Sequence, residues 1–190
     1  MTTEQLEVTP QLTPNPMSAR FQLNRQLVAG PGYDFPNAEA AQESPLAARL
    51  FKLEQVKGVY LGTDFVTVTV VPGHNPLSIA EFVDQAIREH FGTGEPAYVP
   101  SGEGDGNEHA AKAGSELERQ IMEVLDLKVR PAVADDGGDV IFAGYENGVV
   151  KLELRGACSG CPSSLMTLKV GIENLLREEF PEDITAVEPV

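Results

Sequence analysis

The chain has 190 residues, of which 42% are hydrophobic and 23% charged, with a formal net charge of -15 at pH 7. This length accommodates one ordinary domain or two small ones with modest cores. The negative charge repels nucleic acid and anionic lipid, and no apolar run reaches the roughly 20 residues that span a bilayer, so we expect neither as a partner. The N-terminal segment has neither a secretory signal nor a transit-peptide pattern, so we expect a cytoplasmic protein.

The composition changes abruptly in the middle of the chain. Residues 91–116 are rich in Gly, Pro, Ser and acidic residues, which bury too little surface to offset their ordering entropy. We predict a flexible acidic, Gly-rich linker at residues 93–113, between an N-terminal domain at 1–92 and a C-terminal domain at 114–190. Both domains are expected to be small and to mix helices with strands, which is an α+β fold.

The middle of the first domain gives the clearest local signals. Ser44 as N-cap and Pro45 at the first helical position predict a short helix that ends near Gly58. The next segment alternates and is rich in β-branched residues, which predicts one strand or a hairpin turning at residues 62–64. Valines and threonines fall on opposite faces of this segment: Val66, Val68 and Val70 against Thr67 and Thr69.

A second helix is predicted towards the end of this domain. Ser78 and Glu81 have the spacing of a capping box. The apolar residues that follow form one stripe: Ile79, Phe82, Val83, Ala86 and Ile87. Earlier in the domain, residues 21–28 suggest a strand and residues 31–40 a loop.

In the second domain, a capping box at Ser115 predicts a helix that must stop before Pro131. Residues 138–156 are predicted to form two strands joined at residues 146–148, an Asn-Gly turn typical of tight hairpins. A helix from Pro162 to about Arg177 and a last short strand complete the domain. The order helix, strand, strand, helix, strand describes a compact α+β unit.

The two cysteines of the chain lie three positions apart, just past a predicted strand. Gly156 and Gly160 let the backbone adopt unusual dihedral angles and approach a ligand closely. Pro162 suits the first helical position, which places Cys161 at the N-cap. Free N–H groups and the helix dipole favour a thiolate there, and both metal binding and thiol exchange require a thiolate. Cys158 and Cys161 are therefore the candidate site residues.

Three interpretations of this Cys-x-x-Cys pair compete. The cysteines could be small buried residues of the core, since free cysteine is often inert. They could form a thiol-disulfide oxidoreductase site, although Ala157 and Gly160 stand where such sites usually carry an aromatic residue and a proline. The third interpretation is metal binding, with both thiolates as ligands.

Metal binding needs ligands beyond this pair. Zinc and iron-sulfur clusters usually take four, and His74, His90 and His109 have no spacing that completes a site. The simplest source of two more thiolates is a second copy of the chain, so that a homodimer holds one 4Fe-4S cluster at a two-fold axis. Such an exposed, shared site is typical of a carrier, and a 2Fe-2S cluster remains an alternative.

Residues 130–176 closely resemble the C-terminal domain of the NifU family of iron-sulfur scaffold and carrier proteins. The match covers the Arg-Pro pair, Asp-Gly-Gly-Asp-Val, the Gly-x-Cys-x-x-Cys-Pro-Ser-Ser loop and a Thr-Leu-Lys run. Residues 13–21 and 44–69 likewise resemble the N-terminal domain of two-domain Nfu proteins.

The resemblance implies a protein that binds a labile 4Fe-4S cluster through Cys158 and Cys161 across a homodimer. It implies delivery of that cluster to apo iron-sulfur proteins after receipt from an upstream scaffold, without enzymatic catalysis. The chain has no further cysteine-bearing domain, which favours carriage of clusters over their assembly. For the N-terminal domain, which shows no chemistry of its own, we expect recognition of client proteins or of assembly factors.

Overall fold

The computed structural model describes residues 5–30, 32–99, 114–159 and 162–190, without the side chains of residues 162–164. The first unit is a five-stranded antiparallel sheet in the order β1-β2-β5-β4-β3, with two helices packed on one face. Its strands are β1 Val8–Leu12, β2 Ser18–Leu23, β3 Tyr33–Phe35, β4 Val56–Leu61 and β5 Phe65–Val70. Its helices are α1 Pro45–Leu50 and α2 Ala80–Thr93.

The alternation predicted for the central segment is confirmed as a hairpin of β4 and β5. Val66, Val68 and Val70 are at most 1% exposed and form the sheet's contribution to the first core. Helix α2 adds Val83 and Ile87 from its predicted stripe, both fully buried. The helix-facing side of the sheet is thus apolar throughout, as alternation with one buried face requires.

Two helix boundaries in this unit differ from the prediction. Helix α1 ends at Leu50 rather than near Gly58, because tight turns follow and Val56 is taken into the sheet opposite Val70. At the second helix, Asn75 rather than Ser78 is the capping residue, since its side chain accepts from the Leu77 N–H at 2.9 Å and starts a 3-10 turn.

The C-terminal edge of the first unit also extends further than expected. Tyr98 stacks on Tyr33 with ring centroids 3.8 Å apart, and the Val99 N–H donates to the Glu43 carbonyl. Because of these contacts, residues 93–99 belong to the first packed unit rather than to the predicted linker. Residues 100–113, the rest of that linker, lie outside the described residues, so its flexibility and the domain division stay predictions.

The second unit has a three-stranded sheet in the order β6-β7-β8, with helices on one face. Its strands are β6 Gly138–Glu146, β7 Val149–Gly156 and β8 Ala186–Pro189, and its helices are α3 Glu116–Val124, α4 Arg130–Asp135 and α5 Pro162–Glu179. The predicted order of elements is confirmed. Asn147 and Gly148 both have positive φ angles, 51° and 82°, as the tight Asn-Gly turn demands. Strand β8 pairs with β7 in parallel.

The capping box at Ser115 is present, but the helix does not stop before Pro131. A π-helical turn, Leu125–Val129, follows α3 and leads directly into α4, where Pro131 occupies the first turn. Proline is tolerated there because its missing N–H would have no helical partner. The chain therefore continues as a broken helix up to the start of β6.

In the part of the chain that the structure describes, no helix is both long and apolar enough to cross a bilayer. The core of the second unit is formed by side chains from its helices and its sheet. Its fully or almost fully buried members are Ile121, Val133, Val140, Phe142, Val150, Leu152, Leu176 and Val187.

We predict that Leu176→Ala lowers the free energy of unfolding by about 2–5 kcal/mol, because Leu176 is fully buried and its loss leaves a cavity. Urea unfolding followed by circular dichroism measures the change. Val170→Ala, on the same helix but 51% exposed, is the control and should shift stability by less than about 0.5 kcal/mol. Equal effects of the two substitutions would contradict the packing described for α5.

Candidate functional site

Cys158 lies in the turn that follows β7 and belongs to the core of the second unit, with 6% of its surface exposed. Its thiol packs against the start of β6: a Cβ atom on Gly138 would lie 2.5 Å from the Cys158 Sγ. Gly138 is therefore required for this position of the sulfur. Gly160 and Cys161 lie outside the described residues, so the structure places only one of the two predicted ligands. Helix α5 begins at Pro162 as predicted.

A groove of about 530 Å³ leads from Cys158 along α5. Most of its lining is apolar, including Val129, Leu168 and Ile172, and residues 14–15 of the first unit form one wall. Cys158 thus lies where the two units meet, at a groove that runs along residues 167–175 of α5.

Burial, together with the negative charges of Asp136 and Asp139, raises the pKa of the Cys158 thiol to about 12. In this conformation the thiol is neutral at pH 7. Because only a thiolate binds metal or exchanges with disulfides, Cys158 must lose a proton when it reacts. As described, it is a core residue that carries the chemistry of a soft metal ligand.

Asp139 is the second residue of β6, and its carboxylate accepts four hydrogen bonds close to this turn. It is 4% exposed and binds Arg130 through two bonds, each 2.9 Å long. The Val140 N–H donates to it at 2.8 Å, and the Tyr60 hydroxyl of the first unit donates at 3.0 Å. Burial lowers the pKa of Arg130, but its bonds to Asp139 and Asp126 outweigh this and raise it, so the guanidinium stays charged.

The face of the first sheet that points away from its helices contacts this region. Pairing aligns one residue from each strand in a row across that face: Gln11, Arg20, Thr67, Tyr60 and Asp34. We call these five residues the polar row. Three of them bond to the second unit.

Each of these three bonds involves a group of the second unit close to Cys158: the Asp139 carboxylate or the backbone of Gly137 or Gly156. The Tyr60 bond to Asp139 is one; the Thr67 hydroxyl donates to the Gly137 carbonyl at 2.6 Å, and the Gly156 N–H donates to Asp34 at 3.2 Å. Outside the row, the Asn15 side-chain amide donates to the Ala157 carbonyl at 3.0 Å. The first unit therefore holds both segments that surround Cys158.

The histidines are not brought to the site where the structure describes them. His90 is fully buried in the first unit beside Phe91, and burial lowers its pKa; His74 is exposed there, and His109 lies outside the described residues. Within residues 5–30, 32–99, 114–159 and 162–190, no three His, Cys, Asp or Glu side chains are grouped as metal ligands.

Sequence reasoning did not identify Asn15, Thr67, Tyr60 or the Arg130–Asp139 pair as parts of the site. Some signal existed, because all five residues fall within the segments that carry the family resemblance, which are 13–21, 44–69 and 130–176. Nothing in the pattern of β5 marked Thr67, since a threonine that alternates with buried valines is normally solvated.

Comparison with known protein families and proteins agrees with the architecture. Residues 8–94 match the family model described as scaffold protein Nfu/NifU N terminal, and residues 121–188 match the NifU-like domain. A Drosophila erecta protein named NFU1 iron-sulfur cluster scaffold homolog, mitochondrial, is 43% identical over 96% of this chain and 64% of its own length. The human protein of that name is 40% identical over 96% of this chain and 71% of its own.

The solution structure of a NifU-like protein from Saccharomyces cerevisiae is similar over 54% of this chain and 92% of its own chain, with a TM-score of 0.46 and 20% sequence identity. The two domain models, in order, define a class of protein with an N-terminal Nfu domain and a NifU-like domain. This chain belongs to the two-domain Nfu family, as the resemblance predicted.

The predicted cytoplasmic location is wrong. The relatives that match nearly the whole chain are named as mitochondrial proteins. The chain spans 64% of the length of the Drosophila erecta relative.

We predict that Asp139→Asn lowers the free energy of unfolding by about 3 kcal/mol, because it leaves the partly buried Arg130 guanidinium without its main counter-charge. Asp126→Asn removes the other carboxylate bound to Arg130, but that side chain is 49% exposed, so the cost should stay below about 1 kcal/mol. Chemical denaturation of both variants measures the difference. A loss for Asp139→Asn no larger than for Asp126→Asn would contradict the central role of the buried pair.

Proposed function

We propose that this chain is an iron-sulfur cluster carrier that binds a labile cluster through Cys158 and Cys161 and delivers it to apo-proteins. The proposal is supported by the position of Cys158 at the head of an open groove, in a domain whose family model is that of NifU. The relatives' names, which describe iron-sulfur cluster scaffolds, support the same cargo. The cluster is cargo here, so the protein acts without catalysing a reaction.

The ligand count supports a cluster shared between two copies of the chain. One chain contains two cysteines, and the described residues offer no grouped histidines or carboxylates to complete four ligands. A homodimer would supply four thiolates to one 4Fe-4S cluster, with a 2Fe-2S cluster as the smaller alternative. Helix α5 exposes Met166 and Val170 beside the groove, 63% and 51% respectively, which gives a second copy an apolar surface to contact.

Thiol chemistry fits the cargo. Cysteine thiolates are the usual ligands of iron-sulfur clusters, and binding of iron displaces the thiol proton. The partners that this function requires are an upstream scaffold that supplies the cluster and apo-proteins that receive it. The negative net charge would direct the carrier towards basic surfaces on such partners.

We predict that anaerobic reconstitution with iron and sulfide gives a coloured dimer with about two iron and two sulfide per chain and the broad visible absorption of a 4Fe-4S cluster. Cys158→Ser and Cys161→Ser should each abolish the colour, because each removes two of the four thiolates in the dimer. Iron and sulfide analysis together with sedimentation measures both quantities.

The matched control is Ser159→Ala, which changes the same turn without removing a ligand and should load normally. A cluster retained in Cys161→Ser would contradict the proposal. A colourless monomer whose two thiols cycle with a dithiol reductant would instead indicate a thiol-disulfide oxidoreductase.

A further inference from the structure

Four hydrogen bonds between the two units end on residues that flank Cys158 in the chain or across the β6–β7 hairpin. Asn15 holds the Ala157 carbonyl, Thr67 holds the Gly137 carbonyl, and Asp34 holds the Gly156 N–H. The Ala157 N–H in turn donates to the Gly137 carbonyl at 3.1 Å, so the two segments beside Cys158 are joined to each other as well. The first unit therefore holds the two backbone segments that flank Cys158.

Glycines allow this close approach. A Cβ on Gly137 would lie 2.9 Å from the Thr67 hydroxyl oxygen, and one on Gly156 would lie 3.1 Å from the Tyr60 ring. Both glycines have positive φ angles, 79° and 66°, which other residues rarely adopt. Larger residues at these positions would hold the units apart. The fit between the polar row and the turn is therefore built into the sequence of both units.

The covered face of the first sheet is polar, unlike its helix-facing side. Thr67 and Tyr60 are 1% and 3% exposed, yet both end in hydroxyl groups that water can satisfy as well as protein can. An interface between domains that depends on hydrogen bonds rather than on apolar burial separates at modest cost, and relative motion of such domains is the default expectation. The contact is thus suited to opening.

The contact between the two units and the binding of a cluster require different positions of the Cys158 sulfur. Here the sulfur points into the second core with 6% of the residue exposed, and Ala157 is 2% exposed beneath Asn15. A cluster shared with a second chain requires the sulfur at the surface, with space for the partner's ligands. The wall formed by residues 14–15 occupies part of that space.

We propose that the N-terminal unit acts as a closed cover over the cluster-binding turn, and that it must detach from residues 137–139 and 156–158 before Cys158 can bind a cluster. This inference rests on the proposed function. It assigns the N-terminal unit a regulatory contact within its own chain. In the cluster-free chain, docking holds the segments on either side of Cys158 in the arrangement that buries its sulfur in the second core, and loading competes with docking.

The first experiment measures access to Cys158 without any cluster. In full-length protein carrying Cys161→Ser, iodoacetamide modifies a single thiol, and mass spectrometry gives its rate. Asn15→Asp keeps the acceptor for the Met17 N–H but places a carboxylate against the Ala157 carbonyl, and Thr67→Val removes the bond to Gly137. Together they should raise the alkylation rate roughly tenfold, because two interdomain hydrogen bonds are lost.

The matched control is Thr69→Val, on the same strand and face, whose hydroxyl bonds to Ser18 within the first unit. It should leave the alkylation rate unchanged. Tyr60→Phe is a milder second opening variant, since Asp139 keeps Arg130 as a partner, and it should raise the rate by a smaller factor. X-ray scattering of the cluster-free chain should show a larger radius of gyration for the double variant than for the parent chain and the Thr69→Val control.

The second experiment uses chains with both cysteines and follows cluster formation under limiting iron and sulfide. Faster loading of Asn15→Asp/Thr67→Val than of the parent chain supports the cover. Slower loading, or an unchanged alkylation rate and radius of gyration, would overturn it, because docking would then form the site or leave Cys158 accessible. If no chain loads a cluster, the proposed function fails, while the alkylation rates still decide whether the cover exists.

Discussion

The buried carboxylate of Asp139 is the interaction on which the arrangement around Cys158 depends. It binds Arg130 of the broken helix, Tyr60 of the other unit and the N–H of Val140 in its own strand, so three elements meet at one side chain. Removing a charge pair from water is costly, and such pairs often add little net stability. The geometry here, with every oxygen accepting from a donor, favours a role in fixing register at the start of β6.

That register determines where Cys158 lies. Asp139 pairs with Arg155 across the β6–β7 ladder, and the residues just outside this pair, Gly138 and Gly156, face each other at the end of the hairpin. The turn to Cys158 begins there, and the sulfur occupies the space left by the missing Cβ of Gly138. A shift of one residue would turn these side chains to the other face of the sheet. The position of the sulfur is therefore a consequence of strand pairing rather than of the turn alone.

The sequence predicted local structure correctly where a short pattern is compatible with only one kind of backbone conformation. The Asn-Gly pair and the alternating valines of β5 each admit one arrangement, and both were predicted. The exact start of a helix was harder to predict where two neighbouring residues could act as the cap. Asn75 and Ser78 are both good capping residues, and Asn75 is the cap because Pro76 starts a 3-10 turn directly after it. Proline inside a helical pattern predicts an end, but the π-helical turn before it let the chain continue.

The sequence predicted the chemistry of the site, which is that of cysteine thiols, but not how deeply Cys158 is buried. Two closely spaced cysteines indicate metal or redox function, but the structure around Cys158 depends on hydrogen bonds between residues far apart in the chain, from Thr67–Gly137 at 70 positions to Asn15–Ala157 at 142. Alternation shows which face of a strand is polar, but does not show whether water or another domain covers that face. Thr67 could therefore be placed on the correct face, while its burial could not be derived.

A carrier of a labile cluster must survive without its cargo. Two exposed thiolates in a turn are open to oxidation, whose rate follows exposure and thiolate character. Burial of Cys158 in the second core reduces both, and in the proposed cover the polar row holds the segments on either side of Cys158 in that arrangement. Because that cover is held by hydrogen bonds that water can replace, it protects the empty site without adding a large apolar surface that the loaded state would have to expose. In the proposed cover, the same polar face both protects the thiol and releases it when a cluster binds.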